Sequence, residues 1–218
     1  MMMTPLVRKL ALTTHVTVSV GWSGALAVFL AHNIVAVASE DVQMVRAASL
    51  AMGLTTWFVI LPLSLMSLVT GIVQALGTAW GLFRHYWVVA KLFLTVFATV
   101  VLLLKLAPIG DLASAAVLPT FSRIDFGELK VSLLVHAGVG LLVLLTITTL
   151  AIYKPAGLTA YGMRKQAGDA PSGGIRSATD APRWVPVFKT IALVLAALLV
   201  VMMIHGGHGP GAHIQPRG

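Results

Sequence analysis

The sequence predicts an all-α, polytopic membrane protein, with a four-helix transmembrane bundle plus a fifth, C-terminal transmembrane helix. Three observations carry this expectation. Of 218 residues, 58% are hydrophobic and only 10% charged, and the mean hydropathy is +0.93. A soluble domain usually carries about 25% charged residues. Five apolar runs each reach the ~20 residues that a spanning helix needs. The runs are continuous rather than alternating, which argues against barrel strands, and lipid admits only helices or closed barrels.

The first run extends from about Leu10 to Ala38. Arg8 and Lys9 before it and Ala25-Leu26-Ala27 within it resemble the parts of a cleavable leader. His15 interrupts the apolar region, however, and hydrophobicity continues past the candidate cleavage site, so the run reads as a span. The second run, about Ala47 to Leu76, carries Gly53, Thr56, Ser64, Ser67, Thr70, Gly71 and Gln74. At 100° per residue these fall within roughly a third of the helix circumference. Such a face serves helix packing in lipid, or it lines a cofactor or pathway. Pro62 removes a backbone donor and is expected to kink this helix.

The third run covers about Tyr86 to Ala107, the fourth about Val131 to Tyr153, and the fifth about Val185 to Ile204. The expected organisation is a bundle over 1–153, a linker over 154–184, a last helix over 185–204 and a tail over 205–218. Between Ala167 and Arg183 the chain is rich in Gly, Pro, Ser and Asp, a composition that predicts flexibility. No internal repeat is evident.

The chain has no cysteine, which excludes disulfides, thiolate metal sites and iron–sulfur clusters. A formal net charge of +8 would suit nucleic acid, but the cations lie between apolar spans, where they set orientation. Arg8, Lys9, Arg84, Lys154, Arg164, Lys165, Arg176 and Arg183 fall on one side. Arg46, Lys105, Arg123 and Lys130, diluted by Asp111, Asp125 and Glu128, fall on the other. This predicts a bacterial plasma-membrane protein with a cytoplasmic N-terminus and an extracytoplasmic C-terminus, in contact with lipid and not nucleic acid.

Ionisable residues inside spans are functional candidates. His32 near the end of the first run and His136 in the fourth come to similar depth from opposite chain directions. Gly21 and Ala25 share a face with His32, and Gly138 and Gly140 follow His136. Paired histidines from two helices, beside small residues, are one arrangement that holds b-type haem. Near the other face lie His15, His85 and Lys91, with Trp22 on the His15 stripe. Lys91 either faces the bundle interior or snorkels to headgroups. The tail, with His205, His208 and His213 on a glycine-rich segment, suits copper, nickel or zinc.

The pattern of His15, Trp22, Gly24 and His32 resembles the first helix of HemJ-type protoporphyrinogen oxidases and of the related copper-resistance protein D membrane domains. Trp87 and Lys91 repeat the Trp-x-x-x-Lys that opens a later HemJ helix. From Val7 to about Leu104 the chain also resembles a family of uncharacterised integral membrane proteins, notably in LTTWFVILPL and WGLFRHYWVVAK. The resemblance implies a membrane b-haem protein in which His15 is the functional histidine and Lys91 its essential partner. The HemJ Tyr-Leu-Pro-Arg stretch is missing, and Ala25 to Leu30 stand in its place. The copper-resistance relatives imply copper carriage, which suits the outer histidines.

The expected function is therefore a redox protein binding b-type haem through His15, or through His32 and His136, with Lys91 close by. Its redox partner would be another membrane protein, or the chain would form a homo-oligomer. The alternatives are a copper-handling permease with His32, His136, His205, His208 and His213 as ligands, and a non-catalytic accessory subunit. No Walker motif or acidic dyad supports a nucleotide-driven pump or a hydrolase.

Overall fold

The computed structural model describes residues 3–78, 81–122, 126–155 and 157–168, with single positions 190, 193 and 197 beyond. The expected fifth helix, most of the linker, and His205, His208 and His213 lie outside the described residues.

Every regular element described is helical: α1 (Pro5–Ala38), α2 (Val42–Thr55), a π turn (Thr56–Ile60), α3 (Leu61–Gly77), α4 (Tyr86–Val117), α5 (Gly127–Tyr153) and α6 (Ala160–Gly168). Four continuous helices are long and apolar enough to cross a membrane: α1, the unit Val42–Gly77, α4 and α5. α1 packs against α2, α3 and α5, and α4 closes the ring by packing on α2, α3 and α5. The spans thus form an antiparallel four-helix bundle in which α1 and α4 are diagonal.

The α1 residues facing this interior are Val18, Trp22, Ala25, Phe29, Asn33 and Ala36, spaced by three and four as one helical stripe requires. Only 17–28% of each apolar span window is buried. Phe58, Leu54 and Leu142 point outward and are well exposed. Such a surface associates in water but is the expected exterior of a bundle in lipid.

Pro62, where a kink is expected, directly follows an interruption of the regular α-helix. The chain passes through the π turn just before it, where the Leu61 N–H reaches Thr56 O, so the missing proline donor is absorbed locally. α4 likewise continues through Pro108 to Val117, ten residues beyond the expected end at Ala107. Proline is tolerated in spans because neighbouring groups satisfy the freed backbone. As a result Lys105 is no loop cation; it is buried inside α4, and Lys130 is buried in α5.

Connections at both ends are short and tied down. Asp41 caps α2 by accepting from the Gln43 N–H at 2.9 Å. Arg46 donates to Leu118 O at 3.0 Å and lies over the Phe121 ring, which Lys130 also faces. At the other end, Thr159 N–H donates to Arg84 O at 2.9 Å, and the Thr159 hydroxyl donates to Phe83 O. Gly162 lies so close to the Arg84 backbone that a side chain there would collide with it. The described part of the expected linker therefore includes a helix, α6, and is fastened to the loop before α4.

Candidate functional site

Two cavities open inside the bundle, each containing a histidine and a lysine. The larger, about 700 Å³, lies toward the end where α1 begins and α5 finishes. Arg8, Lys9, His15, Lys91 and Lys154 line it, together with Ser19, Ser23, Gln74 and Thr95; among the described residues no carboxylate does.

His15 owes its position to the small-polar face of α3. Its Nδ1 is 3.0 Å from the Thr70 hydroxyl, and one turn deeper Ser19 and Ser67 share a hydrogen bond of 2.8 Å. Thr70 in turn donates to Met66 O, so the hydroxyl accepts from the imidazole. This fixes the Nδ1–H tautomer and leaves Nε2 available to a ligand. A Cβ on Gly71 would stand 3.0 Å from His15 Cε1, so glycine lets the ring lie against the α3 backbone. Across the cavity, Lys91 Nζ lies 5.6 Å from the Trp87 ring centroid, a cation–π distance. The structure thus brings together two of the residues singled out in the sequence, His15 and Lys91.

The smaller cavity, about 80 Å³, is lined by His136, Lys105, Thr56, Ile60, Phe29, Phe97 and Trp22 among others. Its histidine is held by its own helix: His136 Nδ1 lies 2.7 Å from Ser132 O. A carbonyl only accepts, so Nδ1 carries the hydrogen, and Nε2 is buried without a partner among the described residues. Lys105 reaches this cavity because α4 continues through Pro108, and the π turn presents Thr56 and Ile60 to it. Trp22 and Leu144 line both cavities, forming the wall between them.

His32 lines neither cavity. It sits one position off the buried α1 stripe, next to Asn33, with Nδ1 buried and unpartnered among the described residues. Of the glycines expected to make room for a macrocycle between His32 and His136, Gly138 faces open space but two others admit leucines. A Cβ on Gly21 would meet Leu63, and one on Gly140 would meet Leu26, each at 3.3 Å. His85 caps α4 and pairs with Leu158 across an isolated bridge. No group of three or more potential His, Asp or Glu metal ligands occurs among the described residues.

Lys105 falls inside the expected span from about Tyr86 to Ala107, but so near its expected end that it counts in the sequence with the cations of one membrane side. The usable signal was a lysine with apolar residues on both sides, LLLKLAPIG. Fold and cavities together define a multi-pass, all-helical membrane protein with two basic interior sites. Compared with protein-family models, curated proteins and solved structures, the chain matches none of them.

Proposed function

We propose that the protein is a membrane b-type haem protein with a redox role, holding the porphyrin in the larger cavity with His15 as axial ligand. One observation carries the reading: a cavity of about 700 Å³ contains an oriented imidazole and a cationic lining with no carboxylate among the described residues. Ligand cavities of about 300–1,000 Å³ accept molecules of drug size and above. Metal-bound histidines generally donate their second ring N–H to an acceptor, as His15 does to Thr70. Arg8, Lys9, Lys91 and Lys154 would face the propionates, which favour such donors. When bound, haem supplies one-electron transfer. The chain itself contributes ring orientation through Thr70, close approach through Gly71, and charge neutralisation through the cations.

The paired His32–His136 version is less well supported, because the cavity at His136 is about 80 Å³ and His32 does not line it. A cytoplasmic location for the α1 start is part of the same proposal. With Lys105 and Lys130 buried, the described cations at chain ends concentrate still more on that side, as orientation by positive charge requires.

The test is the reduced-minus-oxidised visible spectrum of detergent-purified protein expressed with ample haem. The expected result is a b-type α-band that His15→Ala abolishes and His136→Ala leaves intact. A colourless wild-type protein overturns the proposal. Loss with His136→Ala and retention with His15→Ala would move the site to the other cavity.

A further inference from the structure

We propose that Lys105 and His136 form a second site, distinct from the haem cavity, that binds a compact monovalent anion such as a halide or short carboxylate. Both side chains are more than nine-tenths buried, at 8% and 7% exposure. Lys105 makes no hydrogen bond or ion pair among the described residues, and no Asp or Glu lines the cavity it shares with His136. An ammonium held inside a span without a counter-charge is strongly disfavoured, and such residues pair or mark ion sites.

The other polar groups in the cavity are already committed. The Thr56 hydroxyl donates to Met52 O at 2.8 Å, and His136 Nδ1 is engaged by Ser132 O. What remains is one cationic donor, Lys105 Nζ, and one lone pair, His136 Nε2. An anion beside Nζ neutralises the charge. A water between the anion and Nε2, donating one hydrogen to each, satisfies the imidazole.

Size narrows the ligand. An apolar cavity of about 150 Å³ holds benzene, whereas a single water takes up about 30 Å³ in the liquid. At about 80 Å³ this cavity accepts a small ion with one or more waters but not an aromatic ring. The walls of Trp22, Phe29, Phe97 and Val101 are apolar, so an anion that sheds its water easily is favoured. The π turn at Thr56–Ile60 lines one side, as such turns often do at binding sites.

The experiment uses the full-length protein in detergent. Thermal unfolding is followed in sodium chloride, bromide, nitrate, formate or gluconate at constant ionic strength. Small anions should raise Tm saturably, by roughly 5–10 °C at a hundredfold excess over Kd, and the bulky gluconate should not. Lys105→Met should abolish the rise. Lys91→Met should leave it intact, which separates the site from the cationic haem cavity. In crystals grown with bromide, the anomalous signal should fall beside Lys105 Nζ, a wild-type readout that holds even if a variant does not fold. No size-selective rise, a rise that survives Lys105→Met, or bromide found only elsewhere overturns the proposal. A colourless protein that keeps the anion effect would remove the haem reading and leave this one standing.

Discussion

The two cavities place the same pair of side chains, a histidine and a lysine, in opposite surroundings. Around His15 the lining is polar and cationic, and the ring is oriented by a neighbouring helix through Thr70. Around His136 the walls are apolar, and the ring is oriented by its own helix through Ser132. An imidazole held from across a bundle interface moves whenever that interface moves, so the first site is coupled to α1–α3 packing. An imidazole tethered to its own backbone is preorganised by helix geometry alone. Volume separates them further: one cavity has room for a macrocycle, the other for an ion. The histidine is thus shared chemistry, and the neighbours decide what it can bind.

That contrast depends first on the wall between the cavities. Trp22 is almost fully buried and contributes to both. Trp22→Ala should remove about 3–5 kcal/mol of stability and join the two spaces. Denaturant unfolding in detergent measures the first effect. Loss of size selection among anions, with gluconate now acting like chloride, measures the second. Unchanged stability would mean that the ring is not the partition described.

The next largest effect concerns the smaller cavity's frame. A Cβ on Gly53 would lie 2.6 Å from Ala113 Cβ, so Gly53→Ala should force α2 and α4 apart at a cost of about 1–3 kcal/mol. Adding Ala113→Gly should restore most of the loss, and thermal unfolding of the double variant checks this. Independent, additive effects would show that the two helices are not in contact there. The smallest effect belongs to the larger cavity. Ser67→Ala removes the hydrogen bond to Ser19, and pairs of this kind in membrane bundles average about 0.6 kcal/mol. It should lower Tm slightly and leave anion binding at Lys105 unchanged.

Much of this architecture was legible in the sequence, and particular residues show why. Continuous apolar runs reveal spans because lipid leaves the backbone no alternative. All four observed spans were found, with the starts of three placed four or five residues late. His15 and Lys91 were legible as a pair because both lie within a few turns of the same membrane face. The face of Gly53, Thr56, Ser64, Ser67, Thr70, Gly71 and Gln74 was legible as a polar stripe, but not its division of labour. Gly53 meets α4, Ser67 and Thr70 meet α1, and Thr56 and Gln74 line different cavities. That division depends on the π turn, whose extra residue leaves no mark in hydrophobic periodicity. His32 and His136 match in depth, but depth does not fix rotation. His32 stands a single residue off the buried stripe, about 100° around the helix, which is enough to exclude it from the cavity that His136 lines.

The π turn also bears on how this chain tolerates the loss of a codon. Deleting one residue from an ordinary spanning helix rotates everything after it by about 100° and shortens the span. Within Thr56–Ile60 the same deletion would convert a wide turn to a regular α-helical one, so the backbone itself would accept it. The register on either side would survive as well, because the wide turn is what absorbs the extra residue: Gly53 would still face Ala113 while Ser67 and Thr70 faced α1. The change would be local, shifting Thr56 and Ile60, which line the smaller cavity. One codon within this turn can therefore be gained or lost with the bundle intact, and only the wall of that cavity registers it.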